Sequence, residues 1–368
     1  MSAQSSRMPL VDALKAIASQ LIVLHHLAAY GPLSEAVQEV APALISWLYD
    51  YGRIAVQAFL VVGGFLAARS LAPRGEPLFD NPLPLIWRRY QRLVLPYMAA
   101  VAVAIVAAAV ARRWMIDDSI PDAPTWRQLL AHGLLLHDLL DYDALSAGVW
   151  YVAIDFQLFA LMVLALWIGS LSGLRRAAPA LVVLLGLAAL FWFNRNADWD
   201  EWALYFFGSY GLGAVAWWAS ERRRLAAWLG AIATVAVAAL MVDFRLRIAV
   251  ALAVALTLGF ARRSGWLEKW PEGRPLAFLS RISYSLFLVH FPVCLVANAL
   301  FVKLEFDSAG AAAVGMLLAW SASIAAGTLF YRFVESAAPG WQIGSRLAGL
   351  FKALAGRILV SSPARSGS

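Results

Sequence analysis

The sequence predicts an all-α, polytopic integral membrane protein, and three observations carry that reading. The 368 residues are 62% hydrophobic and only 14% charged, a composition outside the range of soluble domains. Apolar stretches of about 20 residues, the length that crosses a bilayer as a helix, recur along the whole chain. The segments between them alternate between basic and acidic, as the two faces of a membrane protein do.

About ten transmembrane helices are expected, at 10–30, 46–68, 93–112, 148–170, 177–194, 202–219, 225–242, 246–261, 279–302 and 310–332. The intervening segments hold, in turn, acids such as Glu35 and Glu39, then Arg69, Arg74, Arg88, Arg89 and Arg92, then Asp117, Asp118, Asp122, Asp138, Asp141 and Asp143. The alternation continues through Arg175 and Arg176, Asp198 to Glu201, Arg222 to Arg224, Arg262 to Arg281, Glu305 with Asp307, and Arg332. Of the 30 Lys and Arg, 21 fall on one set of segments, 8 on the other, and Lys15 inside a span. The positive-inside rule then sets both the N- and the C-terminus in the cytoplasm. It also accounts for the pI of 9.7, so no nucleic-acid partner is expected. A single cysteine, Cys294, excludes an internal disulfide or a cysteine-built metal centre.

Two units follow. Residues 1–335 form the membrane domain. Residues 336–368 form a tail whose stretch 341–360 sets Ile343, Leu347, Leu350, Leu354 and Ile358 on one side with Arg346, Lys352 and Arg357 beside them. That pattern describes a basic amphipathic helix on the inner leaflet, followed by a polar end expected to be disordered.

Ionisable groups inside a bilayer are costly, by about 2.5–3.5 kcal/mol for a central Lys or Asp on insertion scales, and so mark function. Span one carries Asp12, Lys15, His25 and His26. From Lys15 to His26 a helix turns about 1100°, three turns and some 20°, and rises about 16 Å. Asp12, Lys15, Ser19 and His26 therefore share a stripe, while His25 points about 80° away. The geometry selects His26 as the catalytic imidazole. In "IWRRYQRLVLPY", Arg89 and Arg92 are i, i+3 neighbours with the donor geometry that holds phosphate. In "RISYSLFLVHFPV", a second imidazole, His290, lies about 13 Å into span nine, beyond Tyr284.

These stretches together resemble the acyltransferase-3 family of membrane acyltransferases, which includes O-antigen and exopolysaccharide acetylases. "KAIASQLIVLHH" is similar to the family's basic-to-histidine pattern through Lys15 and His26, and Arg89 and Arg92 match its Arg-x-x-Arg motif. "FLVVGGFLAAR" has Gly63 where the family usually has serine. "GVWYVAIDFQLFAL" matches at Trp150, with Asp155 in place of the usual glutamate. "ISYSLFLVHFP" matches at Ser283, Tyr284, His290 and Pro292.

The resemblance implies a membrane-bound, acyl-CoA-dependent O-acyltransferase that moves an acyl group, most often acetyl, onto a polysaccharide or lipid-linked glycan hydroxyl. The setting it implies is a bacterial inner (cytoplasmic) membrane, with acetyl-CoA as donor and no metal. Lys15, Arg89 and Arg92 would hold the donor, Trp150 and Tyr284 would line the substrate site, and His26, Asp155 and His290 would be catalytic. His26 would serve either as general base or as acyl carrier. From their depths, Asp155 and His290 are expected to reach the level of His26. Alternatively, intramembrane Asp, Lys and His fit a transporter or sugar flippase with a proton relay. A glycosyltransferase would need more acids after span one than Glu35 and Glu39. The "HDLLD" stretch, with His137 and Asp141, is a chance match to the motif of soluble acyltransferases, expected far from the arginines.

Overall fold

The computed structural model describes residues 7–171, 175–222 and 225–337. The expected tail helix at 341–360 lies outside them. Thirteen α-helices and no strand occur among the described residues. They are α1 (Pro9–Ala29), α2 (Pro32–Gln38), α3 (Pro42–Tyr51), α4 (Val56–Leu71), α5 (Leu83–Ala111), α6 (Trp126–Gly133), α7 (Trp150–Ser170), α8 (Ala178–Phe191), α9 (Ala203–Ser220), α10 (Leu225–Val242), α11 (Leu246–Ser264), α12 (Arg274–Lys303) and α13 (Ala309–Phe330). Each expected span coincides with a helix. Eight stretches are long and apolar enough to cross a bilayer, with α3 and α4 joined as one, Pro42–Leu71. The protein is thus a multi-pass membrane protein.

The two remaining expected spans, α9 and α11, fall short in apolarity, and their positions explain why. Sixteen of the 18 residues of α9 are buried. It packs on α4, α8 and α11, so protein rather than lipid surrounds it, and Gly, Ser, Tyr and Trp replace the usual aliphatics. Small residues let helix backbones approach closely in a membrane interior. A Cβ on Gly64 would lie 1.8 Å from the Tyr210 carbonyl oxygen, and one on Gly213 would lie 2.0 Å from that of Val61. α11 ends on Arg262 and Arg263, which lower its apolarity without breaking the helix.

The helices form two neighbourhoods. In one, α12 is flanked by α1, α5 and α13; in the other, α9 is flanked by α4, α8 and α11, with α10 outermost. α4 and α7 bridge them. Basic connections meet at one end of the bundle. The Trp217 and Trp218 indoles donate to the carbonyls of Pro73 and Ala72 at 3.0 and 2.7 Å, Arg175 donates to Asp80 at 2.8 Å, and Arg262 pairs with Glu221. At the other end Lys303 sits 4.1 Å over the Trp114 ring, so α5 and α12 finish level.

The long connection 112–149, expected as a solvated acidic loop, instead folds back against the bundle. α6 begins on a capping box between Thr125 and Gln128, and the Tyr90 hydroxyl on α5 donates to the Gly133 carbonyl at 2.6 Å. Tyr90 is 21 residues, or about 31 Å of helix, from the acidic-face end of α5. The connection therefore descends deep beside α5, and α7 starts well inside the bundle. Its sequence neighbour on α5 is Arg89, so the loop is not remote from the arginines.

The α4–α9 contact leaves no room for a methyl group. Gly64→Ala and Gly213→Ala are each expected to lower stability by at least the 1–3 kcal/mol typical of overpacking. A fall in melting temperature of the detergent-purified protein checks this, with Gly230→Ala, whose Cβ meets nothing, as the unaffected comparison.

Candidate functional site

The two intramembrane histidines meet. His290 Nε2 on α12 lies 3.0 Å from His26 Nδ1 on α1, and both rings are buried. Burying an imidazole without partners costs free energy, and the surroundings fix how the pair shares its protons. The Nδ1 of His290 faces two carbonyls, of Phe287 at 2.7 Å and Leu286 at 3.2 Å, so this nitrogen carries the hydrogen. In the neutral ring its Nε2 is then an acceptor. His26 Nδ1 sits between that acceptor and the Ile22 carbonyl at 2.9 Å, so it too must donate. The Nε2 of His26 is left as a free lone pair, with no hydrogen-bond partner among the described residues. The ring stacks on Tyr30 at 5.7 Å and 7° and keeps 8% exposure. The arrangement is an imidazole oriented by a second histidine, with one ring nitrogen left uncommitted. His25, by contrast, binds the Leu48 carbonyl through Nδ1 at 3.1 Å and packs against Gly52, whose Cβ would fall 2.8 Å from its own. Its work is to join α1 to α3.

Below the pair, toward the basic face, α1 and α12 stay in contact. The Ser280 hydroxyl donates to Asp12 at 2.7 Å, and Arg7 donates to the other oxygen of Asp12 at 2.8 Å. Lys15 lies within electrostatic reach of Asp12, Glu335 and Arg92, and no described residue hydrogen-bonds its ammonium. Glu335, which accepts from Ser285 at 2.5 Å, escaped sequence reasoning. It follows α13 in a π-turn, and nothing in its local sequence marks that turn as folding back onto α12. Arg92 is exposed and unpaired among the described residues.

Arg89 differs from Arg92. Its guanidinium turns inward and binds Asp155 at 2.5 Å, over the Phe159 ring at 5.3 Å, and its buried Nε has no partner. Tyr151, Tyr210 and Tyr284 share the electrostatic field of this pair. Gly63 lies beside the pair; a Cβ there would press on Tyr210 at 3.1 Å and reach Asp155 at 3.9 Å. A side chain at this position would need the Tyr210 ring to move by a few tenths of an ångström. Two expectations need correcting here. Arg89 and Arg92 do not form one fork, because they point to different surroundings. Asp155 is not level with His26: the Tyr284 hydroxyl binds the Leu93 carbonyl at 3.1 Å, and the helical rise from His290 to Tyr284 and from Leu93 to Arg89 puts the ion pair about 15 Å below the histidines. Because α7 starts inside the bundle, its sixth residue lies far deeper than a surface start implies. The carboxylate orients a guanidinium, not an imidazole.

On the acidic side Trp150 stacks on Phe206 at 5.5 Å in a cavity of about 690 Å³. Beside it His137 and His132 stack at 4.2 Å near Tyr97. His132 is saturated by the Gln128 carbonyl and the Leu145 amide, whereas both nitrogens of His137 and the Tyr97 and Ser146 hydroxyls lack partners. His137 Nε2 stands 3.5 Å from Asp138, too far for a good hydrogen bond; Asp141 is not its partner. Burial, with His132 alongside, holds His137 down to about 3. Among the described residues no three His, Cys, Asp or Glu side chains stand close enough to share a metal ion.

The fold and site define a multi-pass helical membrane protein with a buried histidine pair and a cluster of basic residues toward one end. The acyltransferase-3 family profile, which describes an acyltransferase domain, matches residues 9–332. The chain therefore belongs to that family of membrane acyltransferases. It is also similar to the regulator of hypoxia-inducible factor 1 of Caenorhabditis elegans, at 24% identity over 198 residues, which are 51% of this chain and 39% of that protein. The chain thus spans well under half of that relative's length. No solved structure matches it.

His137 is stable only as the neutral ring. Its folded-state pKa lies below the 6.5 of the unfolded chain, so the stability it supports is complete above pH 6.5 and is lost as pH falls toward 3. His137→Phe keeps the stacked ring and cannot titrate. Between pH 6.5 and 4 the variant is expected to gain on the wild type by up to about 1.4 kcal/mol per pH unit. Melting temperatures of both proteins across that range provide the check; a pH-independent difference would refute it.

Proposed function

We propose that the protein transfers an acyl group, acetyl foremost, from cytoplasmic acyl-CoA to a hydroxyl of a cell-surface or periplasmic glycan at a bacterial inner membrane. The observation that carries this reading is the free Nε2 of His26, its ring held by His290 inside the bundle. CoA is polyanionic and cytoplasmic. On this reading the exposed Arg92 and the unpaired Lys15 meet its phosphates by charge-assisted hydrogen bonds. Arg89 offers its unpartnered Nε to the donor, and Asp155 is a positioning residue that fixes the guanidinium. The pantetheine arm covers the roughly 15 Å from the Arg89 level to the histidines.

The acceptor hydroxyl arrives from the acidic face. His26 Nε2 takes its proton, the oxygen attacks the thioester carbonyl, the C–S bond breaks, and the departing thiolate takes the proton back from the imidazolium. Atoms and charge balance with no net proton released. His290, accepting from His26 Nδ1, keeps the ring aimed and stabilises the transient positive charge, as an orienting partner does for a histidine base.

Two measurements test this. In proteoliposomes supplied with radiolabelled acetyl-CoA and bacterial glycan, His26→Ala is expected to cut transfer by about 10²–10⁴-fold, the range of general-base catalysis. His25→Ala is expected to act through folding, so its activity per folded molecule stays near wild type; the reverse pattern would overturn the assignment. For the donor, Arg92→Ala should weaken acetyl-CoA binding in a salt-dependent manner, while Asp155→Asn should leave Arg92-type salt dependence intact and still weaken binding by loosening Arg89. Unchanged affinity in Arg92→Ala would return that arginine to a purely topological role.

A further inference from the structure

α1 ends on Tyr30, one helical turn beyond His26, and side chains four residues apart on a helix are neighbours. The two rings lie nearly parallel, at 7°, with centroids 5.7 Å apart. The Tyr30 hydroxyl has no hydrogen-bond partner among the described residues. Contacts of the ring and of the backbone hold the residue instead.

Those contacts come from α12. Phe291 meets the Tyr30 ring edge-on at 5.2 Å, and it directly follows His290, which accepts from His26 Nδ1. Two consecutive residues of α12 thus fix the two stacked rings. Asn298, buried, donates to the carbonyls of Tyr30 at 3.3 Å and Cys294 at 3.0 Å, and accepts from the Leu33 amide at 2.9 Å. The chain wraps around that side chain at Gly31, whose φ is +79° and where a Cβ would lie 2.6 Å from Asn298. The glycine lets the backbone turn away immediately after Tyr30, with the ring left against His26.

No carboxylate pairs with His26 among the described residues. His290 lies at 3.0 Å, His25 meets the His26 ring at 5.0 Å and 65°, and the Cys294 thiol reaches the His26 carbonyl at 3.9 Å. Arg53 lies within electrostatic reach of His25. A buried imidazolium without a counter-ion is costly. An aromatic face within about 6 Å of a cation attracts it through the ring quadrupole, more strongly where the pair is desolvated. Tyr30 presents such a face, parallel to the imidazole.

We propose that Tyr30 is a positioning residue of the transfer site, its ring face supporting the His26 imidazolium that forms when Nε2 takes the acceptor proton. The link to turnover rests on the acyl-transfer reading, whereas protonation of His26 is measured without it. Full-length protein, isotope-labelled at histidine, is titrated in nanodiscs by NMR, and His26→Gln assigns the signal. Tyr30→Phe keeps the aromatic face and Tyr30→Leu removes it. Trifluorophenylalanine at position 30 keeps the shape and drains the face of negative charge. The Phe variant is expected to protonate His26 at the wild-type midpoint. The Leu and trifluorophenylalanine variants should move that midpoint to lower pH by about 0.5–1.5 pH units and cut kcat for acetyl transfer about three- to thirtyfold, with KM for acetyl-CoA unchanged.

A ring that only fills space would leave the Phe and trifluorophenylalanine proteins alike, and that result would overturn the proposal even where Tyr30→Leu does not fold. So would a loss in Tyr30→Phe equal to that in Tyr30→Leu, which would put the role on the hydroxyl. A His26 that takes no proton before the protein unfolds would overturn it too. Midpoints that move as expected in a protein that acylates nothing keep the ring contact and sink the transferase reading. Acyl transfer indifferent to fluorination keeps the reading and sinks the role of Tyr30.

Discussion

Two imidazoles sealed inside a bundle, 3.0 Å apart, constrain everything around them. Both rings are buried, and each nitrogen that carries a hydrogen points at a protein acceptor. The carbonyls of Ile22, Leu286 and Phe287 supply these from the helices' own turns. That demand fixes the rotation of α1 and α12 about their axes. The same registration appears a few turns on either side, where Ser280 meets Asp12 and Asn298 donates to the carbonyl of Tyr30, the residue that ends α1, at 3.3 Å. A slip of one residue between α1 and α12 would break all three contacts at once.

The charged groups are arranged about that pair by what each face can solvate. Toward the basic face, Lys15 and Arg92 remain open, while Arg89 is drawn in and neutralised by Asp155. Leaving a guanidinium without its carboxylate at that depth is costly, so the ion pair also locks α5 to α7. Toward the acidic face, connection 112–149 descends beside α5 and delivers His132 and His137 to the protein interior. The orphaned polar atoms there are the kind that ordered water satisfies in native structures.

Much of this was legible in the sequence, for reasons that can be named. Helical spacing separated His26 from His25 because an axial rotation of 100° per residue is a local property. Charge alternation sorted the helix ends into a basic and an acidic set because solvation acts on each loop independently. Depth was not legible at Asp155, because the start of α7 is set by a loop that folds inward, a long-range event. The meeting of Gly63 with Tyr210 and Asp155 was equally hidden; it depends on how closely α4 and α9 approach, which no periodicity within either helix encodes. Glu335 was missed for the same reason: its role comes from a turn that brings it back to Ser285.

On the proposed function, one histidine-centred site joins a donor on the basic face to an acceptor on the acidic face. Sidedness tests it most directly. Protein reconstituted in sealed, uniformly oriented proteoliposomes would receive labelled acetyl-CoA in one compartment and a membrane-impermeant oligosaccharide in the other. The account requires labelled sugar when the donor meets the basic face and the acceptor the acidic face, and none when the two are exchanged. Labelled sugar formed when donor and acceptor are both confined to the basic face, with none in the opposed arrangement, would contradict it.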